Sequence, residues 1–191
     1  MKAGSVSLRR ADTRRNNERI LVAAAASLAD SGEVSFNAIA KAAGVGVGTV
    51  YRHFPTPEAL VLAVYRREVQ HLVDVVPTLL RDRSPQEAFR VWTTDHLTRY
   101  MMTKLGLATA LRAATSSHED VVGKAYEAIA GAVSTLLAAN VEAGVVRSDL
   151  EPTTVLRGLS GLLHLDPRGD WRSQAEALTD LLWYGMCQRR D

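Results

Sequence analysis

Apolar positions recur along this chain every three to four residues, the period of an α-helix. Alternating β-branched stretches are absent apart from a few Val-rich runs. Ile20, Leu21, Ala24, Ala25 and Leu28 mark the face of a first helix that Gly32 should stop. Ser35 suits the N-cap of a short second helix carrying Phe36, Ile39, Ala40 and Ala43. Gly44-Val45-Gly46 then turns the chain into a third, from about Val47 to Phe54. Thr56 at the N-cap and Pro57 at the first helical position start a fourth, predicted to run to Val76 just before Pro77. The capping box Ser84-Pro85-Gln86-Glu87 opens a helix to about Thr103, and a shorter one reaches Ala114. A long helix follows Ser116-Ser117 to Ala143, ended by Gly144. Pro152 begins another, closed by Asp166-Pro167-Arg168-Gly169-Asp170. Ser173-Gln174-Ala175-Glu176, a second capping box, opens the last helix, to about Arg189. The expectation is an all-α chain of about nine helices.

The stretch from Phe36 to Phe54 meets each demand of a helix-turn-helix. Ala40 is small where the two helices cross, Gly44 tolerates the positive φ of the turn, and Val50 plugs the core from the second helix. Ile39, Val45 and Phe54 complete the inward set. Val47, Gly48, Thr49, Tyr51, Arg52 and His53 are left outward, a mixture of small, hydroxyl, aromatic and cationic groups suited to a major groove. Charge agrees in sign. Residues 1–67 hold 10 basic and 5 acidic side chains, the remainder 13 and 16, within a net charge of +2. The division expected is a disordered basic arm over 1–13, a DNA-binding head over 14–56, and a helical remainder over 57–191. Arg9, Arg10, Arg14 and Arg15 in the arm read equally as a solvated tail or as a source of non-specific attraction to DNA.

Residues 39–54, Ile-Ala-Lys-Ala-Ala-Gly-Val-Gly-Val-Gly-Thr-Val-Tyr-Arg-His-Phe, and the Pro-Thr-Pro-Glu-Ala-Leu that follows resemble the N-terminal domain of TetR-family (tetracycline-repressor-like) regulators. The resemblance covers about Asn17 to Val64; behind it only the helical plan and the corner at residues 142–149 are similar to family members. It implies a DNA-binding transcription regulator, dimeric, with a small-molecule pocket among its middle helices. It implies phosphate contacts from Ser35, Thr49, Tyr51 and His53, close approach of the backbone at Gly48, and sequence reading by Val47 and Arg52. The family's frequent Lys at the start of the fourth helix is Pro57 here, so one phosphate contact is lost, and the hydroxyl of Thr56 is the expected partial replacement. Bland readings stand beside these. Tyr51 and Phe54 also fit a core stripe, His53 an ordinary surface histidine, and Ser35 a cap alone.

In the rear two-thirds, Trp92, His96 and Tyr100 recur every four residues, with Tyr126 further on. They are the candidates for a ligand cavity, and equally for plain core. Leu156, Leu159, Leu163, Leu178, Leu182 and Met186 are the candidates for a dimer interface. The resemblance implies that the last two helices pair with those of a second copy, and apolar residues on more than one face of the final helix agree.

Other classes find little support. No apolar run approaches the ~18 residues needed to cross a bilayer, and the polar, arginine-bearing start lacks the apolar stretch of a signal peptide, so a cytoplasmic protein is expected. Cys187 is alone, and no Cys/His cluster has metal spacing; neither cofactor nor metal is expected. Histidines at 53, 71, 96, 118 and 164 are scattered, and no hydrolase, phosphate-loop or Glu-x-x-His pattern occurs, which argues against an enzyme. The expected activity is a ligand-responsive repressor on a palindromic operator. A DNA-binding dimer that senses nothing, or an activator, is the alternative.

Overall fold

The computed structural model describes residues 3–31, 34–101, 118–166 and 169–188. These form eight α-helices: α1 (Ala3–Ser31), α2 (Phe36–Ala43), α3 (Val47–His53), α4 (Pro57–Asp82), α5 (Pro85–Val91), α6 (His118–Glu142), α7 (Pro152–Leu159) and α8 (Trp171–Met186). The all-α expectation holds, and among the described residues the nearest approach to a strand is one isolated bridge between Val146 and Cys187. The short helix expected to reach Ala114, Gly32, Pro167-Arg168 and the end at Arg189 lie outside the described residues.

The chain divides into two compact units, and the division falls within α4, between Arg67 and Glu68. In the first, the buried apolar residues are Ile20, Ala24 and Leu28 of α1, Phe36, Ile39, Ala40 and Ala43 of α2, Val50 of α3, and Leu60, Val61 and Val64 of α4. Glu18 on α1 pairs with Arg67 at 2.7 Å. Helix α1 begins at Ala3, so the arm expected to be disordered to residue 13 is helical from residue 3. Arg9, Arg10, Ala11, Arg14 and Arg15 are good helix formers within it, and Asp12 and Arg15 pair one turn apart.

In the second unit, α4 passes through Pro77 and ends at Asp82, beyond the expected stop. Pro77 itself is exposed, although it removes one amide from the helical ladder. Val76 and Leu79, buried on either side, hold the helix to the core. Both halves of the Ser84–Glu87 capping box form, and the Glu87 carboxyl, bonded to the Ser84 hydroxyl and amide, sits below the usual carboxylate range.

After α5 the backbone widens into a π-helical stretch, Trp92–Leu97, before residues 98–101 return to α-helix. The i→i+5 register brings Trp92 and Leu97, and Thr93 and Thr98, to the buried side. Thr93 and Thr94 donate to the carbonyls of Phe89 and Arg90, and Thr98 donates to that of Thr93 at 2.8 Å, occupying acceptors in and around the widened turn. The indole N–H of Trp92 donates to the Leu72 carbonyl of α4 at 2.9 Å.

Asn140, fully buried near the end of α6, donates to the carbonyls of Pro85 and Leu136 and so ties α6 to the start of α5. Helix α7 passes into a 3-10 turn, Ser160–His164. The last helix starts at Trp171, capped by Asp170, whose carboxylate accepts from the Ser173 amide. The expected capping box at Ser173 is therefore displaced one turn. A carboxylate stands at the earlier cap, and starting there seats Ala175 in the core.

Candidate nucleic-acid interface

The α2–α3 turn is built from local chemistry. Ser35 is extended (φ −109°, ψ 107°), and its hydroxyl accepts from the Ala38 amide at 3.4 Å. Gly44 closes α2 in the left-handed region (φ 61°), its amide directed at the carbonyls of Ala40 and Lys41, and the Val45 amide reaches Ala40 at 3.0 Å. A guanidinium from α1 completes the turn, because Arg19 donates to the Gly44 carbonyl at 2.9 Å. A Cβ on Gly44 would stand 2.5 Å from that guanidinium. No sequence signal links Arg19 to Gly44, since 25 residues separate them.

Val50 is fully buried and anchors α3, with Phe54 buried behind it. Around that anchor the outward set lies as expected: Val47, Gly48, Tyr51 and Arg52 are exposed, and Thr49 and His53 half-buried. Gly48 has open space around it, with nothing within 4 Å of an added Cβ. The protein itself therefore does not need glycine there. Tyr51 is 55% exposed yet not loose, its ring centroid 4.7 Å from that of Phe36.

One detail was invisible in sequence. Arg52 folds back along its own helix, donating to the Gly48 carbonyl at 3.1 Å and to the Thr49 hydroxyl at 3.2 Å. Thr56 caps α4, its hydroxyl oxygen accepting from the Ala59 amide at 3.2 Å. Beside it the Glu58 carboxyl is held below the usual carboxylate range, first by its own backbone amide and then by the Thr56 hydroxyl. Thr56 thus shares the start of α4 with a negative charge.

The rear candidates do not come together as one stripe, because the π turn breaks the four-residue period. Trp92 and Tyr100 are buried, His96 is half-buried, and Tyr126 is 41% exposed on α6. His96 Nδ1 lies 3.3 Å from His71 Nε2 of α4. Burial, then the neighbouring His71, lower the His96 pKa from its ordinary value.

The dimer candidates divide in the same way. Leu156, Leu159 and Met186 are buried within the chain, while Leu163, Leu178 and Leu182 are half-buried. Leu182 and Leu178 press on Gly158 and Gly161, where added Cβ atoms would meet them at 3.0 and 3.1 Å. The large apolar side chains that α8 leaves in the open are Leu181 and Tyr184, 71% and 77% exposed. Among the described residues, no group of three or more His, Cys, Asp or Glu side chains is placed to hold a metal ion, and no helix is long and apolar enough to cross a membrane.

Residues 20–64 match the family described as bacterial regulatory proteins, tetR family, and residues 84–188 match the transcriptional regulator SbtR-like, C-terminal domain. A TetR transcriptional regulator from Streptomyces coelicolor is 41% identical, with a TM-score of 0.84 over 91% of this chain and 99% of its own. A TetR regulator from Mycobacterium vanbaalenii is 34% identical, with a TM-score of 0.78 over 94% and 99%. No curated protein matches the chain.

Proposed function

The chain belongs to the TetR family of bacterial transcriptional regulators, and from that membership we propose that it is a ligand-responsive repressor acting in the cytoplasm as a homodimer on a palindromic operator. The observation that carries the reading is α3, anchored by buried Val50 and exposing Val47, Gly48, Tyr51 and Arg52 around it. In this reading residues 14–56 are the reading head and 57–191 the sensing and dimerising part. Ser35, Thr49, Tyr51 and His53 bond phosphates, and Gly48 admits the DNA backbone. Val47 and Arg52 read base edges, Arg52 after leaving Thr49 and Gly48. Thr56 contributes least, because Glu58 repels phosphate beside it.

Dimerisation falls to the open face of α8, where Leu181 and Tyr184 are exposed and Leu178 and Leu182 half-buried, together with half-buried Leu163 of the 3-10 turn. Two recognition helices related by a two-fold axis read half-sites roughly 34–36 Å apart or a multiple of that. An effector among the rear helices shifts the head spacing only as far as it prefers one state over the other. Of Trp92, His96, Tyr100 and Tyr126, polar contact with an effector falls first to His96, since the Trp92 N–H is already bonded to Leu72. That same bond favours a second reading, a DNA-binding dimer in which Trp92 and Tyr100 are plain core and nothing is sensed.

The test is selection of bound sequences from random duplex DNA with the purified protein at near-physiological salt. An enriched palindrome is expected, and its half-sites point to the regulated genes and thence to effectors. No enriched sequence, with or without cell extract, would remove the operator reading.

A further inference from the structure

We propose that the part of α1 ahead of Ile20 is a second DNA-binding element, a basic helix that grips phosphates flanking the operator half-site. This rests on the operator-binding reading above and adds a contact surface to it.

From residue 11 onwards the first buried residue of α1 is Ile20, and the helix extends from Ala3 through Arg19 ahead of it. That length is roughly 25 Å, about seven base-pair steps of duplex. None of residues 11–19 is buried, and in the whole stretch only Val6 and Leu8 are large and apolar. A helix of this size is marginal in water without a packing face. The sequence offers it a polyanion instead. Residues 1–19 hold Lys2, Arg9, Arg10, Arg14, Arg15 and Arg19 against Asp12 and Glu18. Both acids are already paired, Asp12 with Arg15 and Glu18 with Arg67, and six basic against two acidic residues give the stretch a formal excess of four positive charges.

Placement supplies the second argument. Arg19, the last residue before the core, bonds the carbonyl of Gly44, two residues before α3 begins at Val47. The basic stretch therefore departs from the helix-turn-helix turn itself, beside the start of the recognition helix. Arg10 and Arg14 stand four residues apart in a helical stretch, a spacing that suits a run of phosphates.

The experiment compares the full chain with two quadruple variants, Arg→Ala and Arg→Lys at positions 9, 10, 14 and 15, by operator affinity from 50 to 200 mM salt. Each phosphate contact contributes about −0.9 to the slope of log affinity against log salt. The Ala variant is expected to lose about 2–4 of slope and at least tenfold affinity at 50 mM, and to lose protection of the sugar–phosphate backbone flanking the half-sites. The Lys variant should keep the slope, and the selected sequence should not change, because phosphate contacts carry no base information. An Ala variant with the wild-type slope and flanking protection overturns the proposal. So does a slope lost equally in the Lys variant. Failure of the operator reading looks different, as a wild-type chain that enriches no sequence; slopes on random duplex then still decide whether the arm binds phosphate.

Discussion

The ring of Tyr51 on α3 lies against that of Phe36 on α2, centroids 4.7 Å apart and planes tilted by 58°. A side chain that is 55% exposed is thereby held against α2, which orients a group that the proposed function turns towards DNA. Two substitutions separate the roles. Tyr51→Phe keeps the ring contact and removes only the hydroxyl. It should leave stability unchanged and weaken operator binding by roughly tenfold or more, the range for a hydrogen bond to a charged group. Tyr51→Ala should lose that affinity and, in addition, about 1 kcal/mol of stability from the aromatic pair. Chemical denaturation beside fluorescence anisotropy of labelled operator reads both. A Phe variant with full affinity takes the hydroxyl out of the interface.

Gly48 gives a prediction in which stability and function move in opposite directions. It is exposed within α3, and nothing lies within 4 Å of an added Cβ. Gly48→Ala should therefore stabilise the free protein by roughly 0.5–1 kcal/mol through helix propensity. If DNA backbone approaches this position, the same methyl should cost at least tenfold in operator affinity. Unchanged affinity in the stabilised variant would show that no backbone comes close there.

Much of the head was legible in sequence because its signals are local. The caps at Ser35, Gly44 and Thr56 and the box at Ser84 each depend on a few neighbouring residues, and each forms. What escaped depends on contacts distant in sequence. Nothing near Trp92 announces a π turn, which is accompanied by an indole bond to Leu72 twenty residues earlier and by threonine bonds to backbone carbonyls. Pro77 reads as a stop, yet Val76 and Leu79 are held in the core on either side of it. On α8, apolar counting cannot tell which leucines the chain covers itself. That choice was made by Gly158 and Gly161, which receive Leu182 and Leu178 and leave Leu181 outward.

The His71–His96 pair predicts a pH dependence. One imidazole donates and the other accepts across 3.3 Å, an arrangement that protonating both rings would break. The groups around His96 are His71 on α4 and Asp95 and Arg99 on either side, with Asp95 held 3.4 Å from Arg172 of α8. Burial and His71 lower the His96 pKa below 6.5. The unfolded chain then binds more protons than the folded one between that lowered value and 6.5. Stability is full above about pH 6.5 and falls as the pH drops through the window. Melting temperatures at pH 7.5 and 5.5 should differ more for the wild type than for His96→Gln. Equal differences would mean that the pair carries none of the dependence.

The face of α8 predicts where a dimer breaks. Leu182→Glu, suggested by the leucine pattern alone, is ambiguous, because Leu182 also packs on Gly158 and its loss would loosen α7 from α8 within one chain. Leu181 is 71% exposed and Tyr184, one turn on, 77%; neither is covered by its own chain. A charge at Leu181 therefore costs the single chain little, whereas in a dimer seated on this face it would be buried twice, once on each side of the two-fold axis, without a partner. Leu181→Glu should give a folded monomer by sedimentation, with unfolding close to wild type at equal protein concentration once the concentration dependence is removed. Its affinity for a full palindrome should fall towards that for a single half-site, while α3 stays intact. A Leu181→Glu protein that sediments as a dimer would place the interface on another surface.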